Sequence, residues 1–419
     1  MYTQLDDGTI SAHVRVCAGR IAVPHATTAA LRLPHSGIRE IVDLALTSEH
    51  PIIRLEIGEP DFATPAHITE AAFDAARVRV SYVQTAGIPA LRSAIGERIE
   101  RAYGVAAPLE QVLITHGAVQ AIDAILSAVV APGDEVLVPD PAWPNYEMQT
   151  TLIGATPVHY ALRPEDGFQP DLAEIRALLT PRTRVIVLNS PNNPTGAVMR
   201  PELVAAIVAL AVEHDLLVVS DEVYDEIVFE GTHANAAALA PDHVASVFSF
   251  SKTYAMTGWR VGYALVPAWL ADTVTRILEL ESSCVSSVTQ AAALAAITGP
   301  QDAVAHMRDA YRARRDVAVG ILETARIDIV RPQGAFYLML PLPDGTDSRL
   351  AALDLVSAGV SLAPGSAFGR ATPHHLRVSL AASTESITEG LERFLAWRDA
   401  GGTSATSATT ASTIAEPAR

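Results

Sequence analysis

Short apolar runs and amphipathic stretches alternate along most of the chain. "QVLITHG" gathers aliphatic and β-branched residues before a glycine, and "AVQAIDAILSAVV" then repeats its apolar positions at helical spacing. "DEVLVPDPAW" reads as a second strand ended by a proline-rich loop, and "ATPVHYAL", "TRVIVLNSPNNPTG", "LLVVSDEVY" and "VASVFSFSK" continue the series. "PELVAAIVALAVEHD" is a helix between two of them. β-Branched runs separated by amphipathic helices predict an α/β fold, a wound sheet of parallel strands with helices on both faces. Ligands of such sheets collect at the carboxyl ends of the strands. The polar residues that follow these strands are therefore expected in one site: His116 with Gly117, then Trp143, Asn193, Asp221, Tyr224, Ser249 and Lys252.

A chain of 419 residues suffices for two domains. The helical "VAHMRDAYRARRDVAVGIL" reads as a connector into a smaller domain, made of the C-terminal part plus an N-terminal segment. The expected division is a flexible lead over 1–27, a segment 28–65 joining the small domain, a large domain over 66–299 and a connecting helix with the small domain over 300–400. The small, polar end, "GGTSATSATTASTIAEPAR", is expected to be a disordered tail over 401–419.

Charge and composition narrow the function. A net charge of −17 argues against non-specific binding to nucleic acid or an anionic membrane. No apolar run is long enough to span a bilayer, and "MYTQLDDGTISAH" lacks the basic start and apolar core of a secretory signal, so a cytoplasmic protein is expected. Cys17 and Cys284 are too few for a disulfide framework or a zinc cluster, and no metal-ligand spacing, internal repeat or P-loop is visible.

Lys and Arg total 30, and Lys252 is the one lysine among them. Arginine replaces lysine readily as a solvated charge but cannot act as a neutral amine. A position that keeps lysine in an arginine-rich chain points to amine chemistry, with a Schiff base as the obvious candidate. Pyridoxal phosphate supplies the carbonyl such an amine needs, together with a phosphate and a ring nitrogen. The neighbours fit each part. Gly117 and Ala118 lie where a strand turns into a helix, so their N–H groups and the helix dipole suit an anion. Ser249, Ser251 and Arg260 add hydroxyls and a charged fork. Asp221 ends a buried strand, where a carboxylate keeps a ring nitrogen protonated, and Tyr224 with Asn193 can hydrogen-bond the phenolic oxygen.

The sequence here resembles the class I/II aminotransferases, fold-type I enzymes that use pyridoxal phosphate, in their aspartate-aminotransferase-like subgroup. The motifs are "LEIGEPDFATP", "YVQTAGIPALRSAI", "NSPNNPTGAV", "SDEVYDEIVFEG", "SFSKTYAMTGWRVGYA", "RPQGAFYLML" and "HHLRVSLA", in that order over nearly the whole patterned chain. The resemblance implies a large domain with a mostly parallel sheet and a smaller α+β domain. It makes Lys252 the Schiff-base lysine and general acid–base, pairs Asp221 with the pyridinium nitrogen, and gives Asn193 and Tyr224 the phenolate oxygen. Trp143 would stack on the ring, Ser249 and Arg260 would bind phosphate, and Tyr82 would join them from a second subunit of a homodimer. Arg377 would grip the substrate α-carboxylate while the backbone around Gly58 closes over it. The implied reaction is a ping-pong between an L-amino acid and a 2-oxo acid.

Other outcomes stay open on the sequence. A β-lyase keeps the same cofactor and fold. A regulator would need a DNA-binding module before Ile38, where the residues are too few, and a dead binding protein would not keep the lysine, the aspartate and both arginines. Within the family, some aspartate-preferring relatives carry a lysine where Val119 stands in "THGAVQAI", so donors with neutral side chains are expected here. The opposing reading is that Arg32 or Arg39 reaches the pocket and restores dicarboxylate binding. His116 occupies a position that is more often small in the family.

Overall fold

A computed structural model describes residues 26–33 and 37–402. Apart from residues 26, 27, 401 and 402, the expected flexible lead and disordered tail lie outside the described residues. The strands, in chain order, are β1 (Ile53–Arg54), β2 (Val112–Thr115), β3 (Glu135–Asp140), β4 (Thr156–Ala161), β5 (Thr183–Asn189) and β6 (Leu217–Asp221). They continue with β7 (Val244–Ser249), β8 (Gly262–Leu265), β9 (Tyr337–Pro341), β10 (Val360–Ser361), β11 (Ala363–Pro364) and β12 (His375–Ser379).

Seven of them form one sheet in the order β2-β8-β7-β6-β5-β3-β4. The period-2 alternation of side chains sorts its residues onto two faces. Leu113, Val136, Val138, Val187, Val219 and Val247 enter one buried cluster, while Val112, Ile114, Leu137, Ile186, Val218 and Phe248 enter the other. Helices Ala118–Val129 and Pro201–Glu213 cover opposite faces, their buried residues dividing between the same two clusters. This is the two-sided burial that near-continuous apolar strands call for.

The sheet is mostly parallel, as the resemblance implies: β8 runs antiparallel to both β7 and β2. The reason lies in the β7–β8 connection, which holds only a four-residue helix, Phe250–Thr253, and a 3-10 turn, Thr257–Trp259. A parallel return needs a crossover, usually a helix. Gly262 opens β8 at a crowded point, where a Cβ would lie 2.7 Å from the Phe248 carbonyl and 2.9 Å from Gly117.

A three-stranded antiparallel sheet, β11-β12-β9, and a parallel pair, β1-β10, lie outside the large one. Helix Asp302–Thr324 links the two regions, burying Met307, Tyr311, Ala318 and Leu322. Its Arg314 grips Asp61 through two bonds of 2.8 Å, which ties the helix to the chain just past Gly58. Among the described residues no helix is long and apolar enough to cross a membrane.

Candidate active site

The carboxyl ends of β2, β3, β5, β6 and β7 point to one edge, and a cavity of about 480 Å³ lies there. Its walls include Gly58, Ala118, Trp143, Asn193, Asp221 and Tyr224, facing Ser249, Lys252, Arg260 and Arg377. These residues are spread over more than 300 positions of sequence and meet because strand ends and β12 share this edge.

Asp221, the last residue of β6, is 2% exposed. Its Oδ2 accepts a 2.5 Å bond from the Tyr146 hydroxyl and its Oδ1 accepts the Val223 N–H at 3.2 Å. Burial still pushes this carboxyl up to about 6, because the two bonds only partly replace lost hydration. No cation bonds it directly among the described residues. Asn189, at the end of β5, donates to the Asp221 carbonyl at 3.0 Å and accepts the Asn193 N–H at 2.9 Å, locking the two strand ends together.

Lys252 projects from the short helix after β7. Its Nζ donates to the Gly58 carbonyl at 2.6 Å. Burial first, and then repulsion from Arg377, pushes the ammonium down to about 8. Gly58 itself must lack a side chain, since a Cβ there would stand 1.7 Å from the Tyr337 hydroxyl. That hydroxyl is 2.9 Å from the Tyr224 hydroxyl.

Arg377 sits in the centre of β12 and is 3% exposed. Nη1 donates to Asn193 Oδ1 at 2.9 Å, Nη2 donates to the Glu56 carbonyl, and the buried Nε has no partner among the described residues. A charged fork this buried is costly unless a counter-ion completes it.

The opposite end of the cavity is an anion cradle. Gly117, with φ +81°, is the N-cap of helix Ala118–Val129, and a Cβ there would lie 2.9 Å from Arg260 Nη2. Arg260 adopts a left-handed φ of +54° and is held by the Thr257 carbonyl at 2.8 Å. Ser249 caps the next helix, accepting the Ser251 N–H at 3.1 Å, which leaves its own proton to donate. A helix N-terminus, a guanidinium and a hydroxyl together suit a phosphate. The residues present therefore fit pyridoxal phosphate: a phosphate cradle at one end, a depressed amine in the middle, and a buried carboxylate lacking a cation.

Two sequence-selected residues fall elsewhere. Tyr82 is 88% exposed and lies off the cavity of its own chain. His116 turns aside, bonding Gln120 through its N–H at 2.8 Å and its ring at 3.1 Å. Sequence reasoning missed Tyr146, Asn189 and Tyr337, all of which line the cavity. It placed Arg39 only as an opposing possibility, and that residue lines the cavity beside Ile38 and Val42.

The family model described as aminotransferase class I and II matches residues 50–394. An aspartate/prephenate aminotransferase of Thermus thermophilus is 40% identical over 348 residues, spanning 82% of this chain and 90% of that protein. A solved structure of Thermus thermophilus aspartate aminotransferase with maleate superposes with a TM-score of 0.86 at 37% identity, covering 89% of this chain and all of the other. An alanine aminotransferase from Pyrococcus furiosus gives 0.86 at 33% identity, covering 90% of this chain and 100% of that one. With the fold, the cavity and these likenesses in agreement, the chain belongs to the class I and II aminotransferases and is a pyridoxal-phosphate-dependent transaminase.

Proposed function

We propose that Lys252 is the amine that holds the cofactor and moves the substrate's α-proton, and that the preferred substrates carry a second carboxylate. The observation that carries the first part is the Lys252 amine, alone of its kind in the sequence and pushed down to about 8 in the same cavity as Asp221 and Arg377. When bound, pyridoxal phosphate supplies an aldehyde and a ring that spreads the electron pair left as a substrate Cα–H bond breaks.

The chain's residues then have distinct tasks. Gly117, Ala118, Ser249 and Arg260 would hold the phosphate, and Trp143 would pack on the ring. Asp221 keeps a proton on the ring nitrogen. Asn193 and Tyr224 donate to the phenolic oxygen; the Asn193 carbonyl oxygen is occupied by Arg377, which leaves its amide N–H groups for this use. Arg377 takes the substrate's α-carboxylate and so sets the Cα–H bond toward Lys252. The Gly58 carbonyl steers Lys252 Nζ, and the lowered proton affinity leaves more of the amine neutral to accept the α-proton.

The expectation of neutral donors rested on Val119 and on no arginine being assignable to the pocket. Arg39 on helix Gly37–Thr47 supports the opposing reading, since it offers a cation at the cavity wall among Ile38, Val42 and Ile57. A substrate's second carboxylate would meet it there. The Thermus relatives named for aspartate fit this reading.

Homodimerisation belongs to the same proposal. Val78, Val80 and Tyr82 are 69%, 54% and 88% exposed on one irregular stretch, which suits an interface through which Tyr82 reaches the partner's phosphate. A two-domain division is supported by the large sheet lying wholly within 66–299 while β1 and β9–β12 lie outside it. A cytoplasmic setting rests on composition.

Borohydride reduction of the holoenzyme followed by peptide mapping tests the lysine; label at a site other than residue 252 or the amino terminus sinks the assignment. Steady-state comparison of glutamate and aspartate with alanine, valine and phenylalanine tests the substrate class. Catalytic efficiency about tenfold higher for the acids is expected, falling selectively in Arg39→Leu. Equal efficiencies in the wild type overturn the acidic reading. Product formation without an amino acceptor would instead mark a lyase.

A further inference from the structure

Two aromatic rings pack close to the guanidinium of Arg377. The Tyr337 ring centroid lies 4.4 Å from its Cζ and the Phe368 centroid 4.5 Å from it. Rings this close crowd approach from outside the plane and favour a ligand in the plane of the fork, where a carboxylate fits edge to edge. Tyr337 belongs to β9, hydrogen-bonded neighbour of β12, so its place follows from the small sheet. Phe368 does not lie on a strand. It follows the 3-10 turn Gly365–Ala367, is 4% exposed, and does not line the cavity.

What fixes Phe368 is a residue of the other sheet. Asp140 ends β3, is 5% exposed, and turns its carboxylate onto the loop. Both oxygens accept the Arg370 N–H at 2.9 Å, and Oδ1 also accepts the Ala371 N–H at 3.0 Å. Gly369 spans the carboxylate with φ +141°, and a Cβ there would fall 2.0 Å from Oδ1. On the other side of that glycine the Phe368 carbonyl accepts the Ala142 N–H at 2.8 Å. The loop is thus stitched to the end of β3 on both sides of Gly369, and all side-chain hydrogen bonds of Asp140 among the described residues go to it.

We propose that Asp140 is a positioning residue for carboxylate recognition: it holds the 368–371 loop so that Phe368 keeps Arg377 in the plane a substrate carboxylate needs. The inference rests on the reading of Arg377 as the α-carboxylate partner. Asp140 touches neither substrate nor cofactor on this account, and acts through Phe368.

The test separates carboxylate recognition from general damage. Wild type, Asp140→Ala, Asp140→Asn, Phe368→Leu and the Asp140→Ala/Phe368→Leu double variant are compared as holoenzymes. Maleate affinity is read from the cofactor absorbance, and single-turnover rates are measured with glutamate and with ethylamine, which has no carboxylate. Asp140→Ala and Phe368→Leu should each weaken maleate binding and raise the apparent glutamate Kd by about tenfold with a smaller change in the limiting rate. Ethylamine rates should stay within about twofold. The double variant should be no worse than the worse single one, and Asp140→Asn, which keeps one acceptor oxygen, should fall between wild type and Asp140→Ala. Equal losses for glutamate and ethylamine, additive single effects, or unchanged maleate binding overturn the proposal. If Asp140→Ala does not fold, Phe368→Leu decides through the same ratio. Arg377→Lys is the control for the underlying reading: unchanged discrimination between glutamate and ethylamine there would remove Arg377 itself from carboxylate binding, whatever the loop does.

Discussion

Tyr146 Oη and Asp221 Oδ2 lie 2.5 Å apart, with the phenol donating. The bond opposes the burial that pushes the Asp221 carboxyl up to about 6. In Tyr146→Phe that opposition is gone, and the carboxyl protonates at higher pH than before. Activity should drop by about tenfold at neutral pH, a hydrogen bond to a charged group being worth roughly 1.5–3 kcal/mol. The acid limb of the kcat profile should move to higher pH. A variant whose profile keeps its shape and merely scales down would show that Tyr146 does not act through Asp221.

The apoprotein should carry two mismatched charges at neutral pH. Asp221 has a folded value near 6 against 3.8 ordinarily, so the folded state binds more protons between these values and stability falls as pH rises through them, by about 3 kcal/mol. Lys252, pushed from 10.5 down to about 8, works the other way: the folded state binds fewer protons above 8, and stability recovers as pH rises from there. Apo Asp221→Asn should therefore melt higher than apo wild type at pH 7, with the gap closing by pH 4. A gap that persists at pH 4 would place its cause elsewhere.

Gly117→Ala should cripple cofactor retention without unfolding the protein. The new methyl would stand 2.9 Å from Arg260 Nη2 at a backbone φ of +81° that L-residues avoid. Arg260 must then swing away from the helix N-terminus. We expect pyridoxal phosphate to dissociate at least about tenfold more readily, since charge-assisted bonds are roughly twice as strong as neutral ones. Fluorescence titration of the apoprotein measures this, and an unchanged affinity would remove the Gly117 turn from the phosphate site.

Arg98 holds the turn behind Tyr224. Its Nη2 bonds Asp225 at 2.8 Å and Glu226 at 2.7 Å, its Nη1 bonds the Tyr263 hydroxyl at 3.0 Å, and Tyr103 adds a 2.6 Å bond to Asp225. Arg98→Met strands the buried Asp225 carboxylate, for a loss of about 3–5 kcal/mol in urea unfolding. A loss under about 1 kcal/mol would mean that the network is solvated in practice.

The site was legible where a polar residue interrupts or ends an apolar strand. Asp221 after "LVVS" and Ser249 after "VASVF" stand out because a buried strand end has no structural use for them. Tyr337 did not stand out, because in "GAFYLML" an aromatic on a strand is ordinary core, and only the antiparallel register of β9 against β12 puts its ring over Arg377. Tyr146 was hidden by the same ambiguity on a helix. Asp140 was masked by its place in "VPDPAW", which reads as turn chemistry until the distant loop is seen to close on it. The direction of β8 depended on a connection whose helix is too short to announce itself.

β1 pairs with β10, Ile53 opposite Val360, so the first strand waits for a partner some 300 residues away. At synthesis rates of about 5–20 residues per second, roughly 15–60 s separate their emergence from the ribosome. Throughout that interval Ile41, Val42 and Ala45 on helix Gly37–Thr47 lack the later segment against which they bury. The nascent chain thus carries an uncovered apolar face while its large sheet is already being made. Sluggish translation of the codons between β1 and β10 would prolong that exposure, making chaperone demand during synthesis a property of where β10 falls in the gene.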